Sequence, residues 1–199
     1  MNKANKITVF RLILSFLLII FLTFPFYSIG LNLPKILFFN IIIEVKYIIA
    51  AIIFAFASFT DFLDGYVARK YNMVTDTGKT LDAIADKVLV NSILIILAVD
   101  GMVSVWVPVI IVVRDIIVDV LKMEVGRKDQ VVAAIKTGKI KTALLMIGIF
   151  FTLIYNLPFE LLKINLALML VYFGTIMSIV SLVEYFNMSK KFIFKKGEM

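Results

Sequence analysis

Long apolar stretches alternate with short polar segments along most of this chain. Six apolar stretches cover residues 7–27, 46–69, 80–99, 102–123, 140–157 and 163–187. A helix satisfies its own backbone hydrogen bonds and needs about 20 apolar residues to cross a bilayer. The pattern therefore predicts an all-α integral membrane protein with six transmembrane helices. Because the connections are short and no linker divides the chain, residues 1–199 are expected to form a single domain.

The composition supports a membrane environment and limits the chemistry. Hydrophobic residues make up 62% of the 199 positions, whereas soluble domains contain about 45–50%. The chain has no Cys and no His, which excludes disulfides, Cys/His zinc sites and catalysis by a thiol or an imidazole. Any bound metal is therefore expected to be a hard cation with oxygen ligands, and any general base is expected to be a carboxylate.

The net charge of +7 is distributed as a topology signal. Fifteen of the 21 Lys and Arg residues lie on one set of alternating connections, including a polar, basic loop at 122–141, and three lie on the other set. The positive-inside rule then places both termini in the cytoplasm. A chain this apolar is not expected to bind nucleic acid, and membrane lipid is the expected surrounding.

Three of the predicted helices become polar at their cytoplasmic ends. The apolar part of helix two stops at Phe59, that of helix three begins only after Lys87, and that of helix four stops before Arg114. Each ionisable group within a span costs roughly 2.5–3.5 kcal/mol, so such groups should face one another or a water-filled cavity. The pattern predicts one polar cavity open to the cytoplasm. A single cation such as Lys87 has the alternative of neutralising a neighbour or reaching the interface.

Four aspartates occupy two of these polar ends. Asp61 and Asp64 are three residues apart and Asp82 and Asp86 are four apart, so each pair shares one helix face. If the two helices run antiparallel, the pairs face each other and repel unless cations lie between them. Carboxylate ligation suits Mg²⁺, Mn²⁺ or Ca²⁺, and two ions would neutralise the cluster. With Arg69 one turn beyond Gly65 to clamp phosphate, the residues describe a diphosphate site.

The same residues form the motif D-x2-D-G-x2-A-R-x8-G-x3-D-x3-D, which runs from Asp61 to Asp86. On this motif the chain resembles the CDP-alcohol phosphatidyltransferases, and every specified residue is present. The resemblance implies that an alcohol attacks the β-phosphate of a CDP-linked lipid and expels CMP. It also implies a six-helix fold, a homodimer and an integral enzyme of the cell membrane whose active site faces the cytoplasm.

The resemblance further assigns roles to individual residues. Asp61, Asp64 and Asp82 would bind Mg²⁺ or Mn²⁺, and Asp86 would bind metal and act as the catalytic base. Contacts to the CDP-lipid are implied for four residues: Gly65, Arg69, Thr75 and Gly78.

Basic residues near the inner ends of helices one, four and five are candidates for binding an acceptor phosphate: Arg11, Arg114, Lys136, Lys139 and Lys141. Segments 5–11 and 138–142 resemble the branch of the family that uses sn-glycerol 3-phosphate, which implies CDP-diacylglycerol as donor and phosphatidylglycerophosphate and CMP as products. That branch tends to have Arg-Glu and Pro where this chain has Arg114-Asp115 and Ala4. Inositol phosphate, serine and other alcohols stay open as acceptors. Inner-loop lysines also set topology and contact headgroups without any catalytic role.

Two other classes of function are compatible with intramembrane acids. A divalent-cation carrier would need an acidic path across the membrane, but the Asp pairs lie toward one face with no acidic trail to the other. A purely structural membrane protein would tolerate loss of Asp86 without loss of activity. The sequence favours the transferase over both.

Overall fold

Six long helices dominate the computed structural model, which describes residues 3–31, 33–39, 41–70, 76–127 and 135–193. Side chains are described for residues 5–31, 33–39, 41–60, 78, 80–127 and 135–190. The helices are α1 Lys3–Thr23, α2 Val45–Lys70, α3 Asp76–Val99, α4 Trp106–Gly126, α5 Lys136–Leu153 and α6 Leu166–Ile193. Short 3-10 helices lie at Phe26–Ile29 and Phe159–Leu162.

The six helices confirm the six predicted helical segments, with differences at some ends. α1 stops at Thr23 rather than at Tyr27, because Pro25 disfavours helical backbone at the residue before it. α4 continues to Gly126, and α5 begins at Lys136. Much of the predicted polar loop at 122–141 is therefore helical, since its Lys and Glu residues are good helix formers as well as polar ones.

A small β-hairpin between α1 and α2 was not predicted from the sequence. Strands β1 (Lys35–Phe38) and β2 (Ile41–Glu44) pair antiparallel, with Lys35 opposite Glu44. Their side chains form an ion pair with a Nζ to Oε1 distance of 2.7 Å, and the hydrogen bond to Glu44 raises the pKa of Lys35. The hairpin escapes sequence analysis because its apolar residues continue directly into the apolar start of α2.

The core runs through the middle of the bundle, where α1, α2, α3 and α5 supply large buried side chains such as Leu18, Phe54, Ile93 and Ile149. α5 and α6 have the most extensive helix contact, and glycines bring their backbones together. A Cβ at Gly148 would lie 2.8 Å from Val171 Cγ2, and one at Gly174 would lie 2.9 Å from Leu145 Cδ2. Small residues at such crossings are typical of membrane helices.

Two helical segments of the described chain are long and apolar enough to cross a membrane, Asn5–Thr23 and Leu166–Lys190. The apolar part of α2, Val45–Thr60, is shorter, and charged residues interrupt α3 and α4. Many large apolar side chains on the outer helix faces are exposed, including Phe16 and Phe173, which is expected of surfaces that meet lipid. The helical prediction is confirmed, while six crossings and cytoplasmic termini stay predictions.

Candidate active site

The aspartates of the motif lie on α2 and α3, as the spacing predicts. Asp82 and Asp86 occupy the first half of α3, and Asp61 and Asp64 lie in α2, where their side chains are outside the described residues. The same holds for the side chains of Arg69 and for Gly65, and Thr75 lies wholly outside the described chain. Of the motif's proposed site residues, the structure describes the side chains of Asp82 and Asp86 and the position of Gly78.

Asp82 and Asp86 have different environments. Arg11 of α1 is fully buried, and its Nη2 donates to Asp82 Oδ1 at 2.5 Å and to the Asp82 carbonyl oxygen at 3.3 Å. Asp86 Oδ1 is buried without a hydrogen-bond partner among the described atoms. A buried carboxylate oxygen without a partner is costly unless a proton or a cation satisfies it.

This donor chemistry fits a hard divalent cation. The side chains of Asp82 and Asp86 offer only carboxylate oxygens, one of them unsatisfied, and Mg²⁺ and Mn²⁺ prefer oxygen ligands. In the described portion of the chain, no group of three metal-ligating side chains comes together. The other acids of the motif, Asp61 and Asp64 of α2, lie outside the described side chains.

A cavity adjoins Asp86 between α3, α4 and α5. Asp86, Lys87, Val90 and Asn91 form its α3 wall, Asp115 belongs to α4, and Lys141, Thr142 and Leu145 come from α5. The α3 residues share one helix face by their spacing. The cavity thus places the motif's last carboxylate in the same space as a lysine from the fifth helix.

Asp115 joins two cations inside the bundle. Its Oδ1 lies 2.6 Å from Lys141 Nζ and 2.9 Å from Arg114 Nη1, and all three side chains are at most 9% exposed. One carboxylate therefore serves two cations, and this cluster carries one net positive charge. Buried charge that is not fully compensated is costly, and the Asp86 carboxylate on the wall of the same cavity offsets part of it.

Arg114 is held by α6 as well as by Asp115. Its Nε donates to the Ser178 carbonyl oxygen at 3.3 Å, its Nη2 donates to Ser181 Oγ at 2.7 Å, and its Cζ lies 5.6 Å from the centre of the Tyr185 ring. Arg114 is not among the residues that line the cavity next to Asp86. Its contacts make it a connection between α4 and α6, whereas Lys141 projects to the cavity.

The remaining predicted phosphate ligands are distributed over different environments. Lys136 and Lys139 on the first turns of α5 are exposed, and Arg11 contacts Asp82 instead of the cavity. Of the five basic candidates, the described structure brings only Lys141 to the cavity wall. Lys87, which also lines the cavity, forms an ion pair with Asp119 of α4, which agrees with the neutralising role considered for it.

α6 also fixes the beginning of α5. Thr137 Oγ1 donates to Glu184 Oε2 at 2.6 Å, and the Ile135 backbone N–H donates to the Tyr185 hydroxyl at 3.4 Å. These contacts hold the first turn of the helix that carries Lys141. The approach of α5 to the cavity is therefore determined in part by α6.

Asn91 was not predicted as a cavity residue, and the partner of Asp115 was not predicted either. Asp115 was visible as an acid inside an apolar helix, a position that calls for a partner, but its partner Lys141 is 26 residues away. Asn91 is a single neutral polar residue within the apolar part of α3, and such residues carry a weak signal.

Comparison with known proteins agrees with the motif. The family model of CDP-alcohol phosphatidyltransferases matches residues 1–182. A Bacillus subtilis protein named CDP-diacylglycerol–glycerol-3-phosphate 3-phosphatidyltransferase is 38% identical over 186 residues, which is 94% of each chain. A protein of that name from Mycoplasma genitalium is 35% identical over 75% of this chain and 63% of its own length. One from Haemophilus influenzae is 34% identical over 95% of this chain and 94% of its own length. The chain therefore belongs to the CDP-alcohol phosphatidyltransferase family and is a membrane phosphatidyltransferase.

Proposed function

We propose that the protein transfers the phosphatidyl group of CDP-diacylglycerol to sn-glycerol 3-phosphate, giving phosphatidylglycerophosphate and CMP. The relatives that match most of the chain carry the name of this activity. The observation that carries the proposal is the cavity shared by Asp86 and Lys141. It offers a carboxylate for an alcohol and, beside it, a buried cation for the phosphate of that alcohol.

The donor side of the site is assigned to the motif. Asp61, Asp64, Asp82 and Asp86 would hold two Mg²⁺ or Mn²⁺ ions, which when bound neutralise charge on the diphosphate. Contacts to the CDP-lipid are proposed for Gly65, Arg69, Thr75 and Gly78. Arg11 supports this side, because its bond to Asp82 holds that carboxylate in place.

The chemical step is proposed to depend on Asp86. As its carboxylate takes the proton, the primary hydroxyl oxygen of the acceptor forms a bond to the β-phosphorus of the CDP-lipid. The bond from that phosphorus to the oxygen of the CMP group breaks, and CMP leaves with the electron pair. The free Oδ1 of Asp86 supports this role, since no described hydrogen bond competes for it.

The acceptor phosphate is assigned to Lys141. Its ammonium group lines the cavity, whereas Lys136 and Lys139 are exposed. Arg114 contributes indirectly, because it shares Asp115 with Lys141 and leaves the cluster with a net positive charge. The exposed Lys136 and Lys139 would attract the anion toward the entrance through longer-range electrostatics.

The proposal includes the arrangement in the cell. Both termini and the cavity would face the cytoplasm, from which soluble glycerol 3-phosphate arrives, and the enzyme would act in the cell membrane as a homodimer. The excess of basic residues on one set of connections supports this orientation.

An acceptor panel tests the function. Purified protein in detergent with CDP-diacylglycerol and Mg²⁺ should release CMP when sn-glycerol 3-phosphate is added, and should not do so with inositol 1-phosphate or serine. Chelation of the metal should stop release. Turnover with another alcohol but not with glycerol 3-phosphate would contradict the proposed acceptor.

A further inference from the structure

One polar group on the cavity wall has no part in the chemistry described so far. Asn91 lies on α3, five residues beyond Asp86, and lines the same cavity. Its Nδ2 donates a long hydrogen bond of 3.5 Å to Asp115 Oδ2. Its Oδ1 is buried and has no hydrogen-bond partner among the described residues.

The orientation of the Asn91 amide follows from its neighbour. Asp115 contacts two cations and offers only acceptor oxygens at this point, so the amide nitrogen must face it. The carbonyl oxygen is then the group left without a partner. An unsatisfied buried acceptor is unfavourable, and a ligand that donates a hydrogen bond would relieve that cost.

The other cavity residues limit what this ligand group is. Lys141 supplies a cation for a phosphate, and Asp86 accepts the proton of the reacting hydroxyl. Neither needs Asn91, whose carbonyl oxygen accepts hydrogen bonds but cannot bind an anion. Between the phosphate and the reacting hydroxyl of glycerol 3-phosphate lies one further donor, the secondary hydroxyl.

We propose that Asn91 Oδ1 accepts a hydrogen bond from the secondary hydroxyl of the acceptor and makes Asn91 a specificity-determining residue. This inference rests on the proposed function. The hydrogen bond to Asn91 favours glycerol 3-phosphate over phosphorylated alcohols that lack this hydroxyl. A site with a buried polar group discriminates against a substrate that leaves the group unpaired.

The test compares two acceptors that differ only in that hydroxyl. CMP release is measured with glycerol 3-phosphate and with 3-hydroxypropyl phosphate, and kcat/KM is determined for each. The wild-type protein should prefer glycerol 3-phosphate by about tenfold, the value of one hydrogen bond to a neutral group. In Asn91→Leu, which keeps the branching of the side chain but has no hydrogen-bonding atom, the ratio should approach one. Asn91→Ala serves if the leucine variant does not fold.

Val90→Ala is the matched control, because Val90 lines the same cavity on the same helix and has no polar side-chain atom. This variant should change kcat/KM equally for the two acceptors and leave their ratio unchanged. A wild-type ratio near one, or a ratio that survives in both Asn91 variants, overturns the role of Asn91. Absence of turnover with glycerol 3-phosphate in the wild-type protein is instead a failure of the proposed function.

Discussion

Charged side chains are buried at one end of the helix bundle and lie at the surface at the other. At the cavity end, defined by Asp86, Asp115 and Lys141, charged groups lie inside the bundle and partner one another across helices. At the hairpin end, defined by the hairpin and Asp100, Lys35 and Glu44 form an ion pair at the surface. Asp86 lies in α3, and Asp100 directly follows the last residue of that helix, Val99. At a rise of about 1.5 Å per residue the two aspartates are about 21 Å apart. Aspartates within α3 and just beyond its end therefore have two different environments.

The contrast shows that position, rather than residue type, determines what a charge does. A surface ion pair gains little, because water weakens the attraction and ordering two long side chains costs entropy. A buried charge without a partner is strongly unfavourable. A charge or an oxygen that stays without a partner inside the bundle can therefore bind a ligand. Changes at the cavity end should therefore alter catalysis or folding strongly, and changes at the hairpin end should not.

The largest effect is expected at Asp86. Asp86→Asn should lower kcat by about 10²-fold or more, the range of general acid–base catalysis, while binding of CDP-diacylglycerol changes less, since a base acts mainly in the transition state. Single-turnover CMP release and equilibrium lipid binding measure the two effects. Asp100→Asn is the control and should leave both unchanged. Equal losses of turnover and binding in Asp86→Asn would leave Asp86 a metal ligand only.

Asp115→Ala tests the buried cluster. The variant leaves Arg114 and Lys141 buried without their shared carboxylate, which should cost about 3–5 kcal/mol of unfolding free energy. Asp119→Ala on the same helix breaks a half-exposed pair with Lys87 and should cost less than about 1 kcal/mol. Chemical denaturation in detergent measures both. Similar losses in the two variants would show that the cluster is not a buried, coupled unit.

Tyr47→Phe tests a partly buried hydrogen bond at the hairpin end. The Tyr47 hydroxyl donates to Asp100 Oδ2 at 2.7 Å, and its loss should cost about 1 kcal/mol. Denaturation of the variant gives the change in stability, and CMP release gives the change in activity. We expect lower stability with an unchanged KM for both substrates. A raised KM for the acceptor would contradict the difference between the two ends.

The smallest effect is expected at Lys35. Lys35→Met removes an exposed ion pair with Glu44, and such pairs often contribute nothing measurable to stability. Thermal denaturation and CMP release should match the wild-type protein at both low and high salt. A clear loss of CMP release would show that a change in the hairpin alters the cavity.

The sequence predicted those features that depend on neighbours along the chain. The helices follow from apolar stretches, and the Asp pairs follow from spacing on one helix face. The partners of Arg114 could not be predicted in this way, because Ser178 and Ser181 are 64 and 67 residues distant. Which residue a side chain meets across a bundle depends on the rotation of each helix. For the same reason, spacing did not distinguish the buried Lys141 from the exposed Lys139 on the same helix.

The hairpin and Asn91 show a second limit. Ile41–Glu44 continues directly into α2, so an apolar pattern cannot mark where strand ends and helix begins. The role proposed for Asn91 depends on Asp115, which orients the amide and leaves Oδ1 without a partner among the described residues. Both features arise from contacts between elements and carry no local pattern of their own.

The cavity between α3, α4 and α5 is proposed to receive the phosphate of the acceptor. The most direct test is the KM for glycerol 3-phosphate in Lys141→Met, compared with Lys139→Met two residues away on the exposed side of α5. Loss of a hydrogen bond from a charged group predicts a rise of roughly 10- to 100-fold for Lys141→Met, and a change of less than about twofold for the exposed Lys139. An unchanged KM in Lys141→Met, or equal rises in the two variants, would contradict the account.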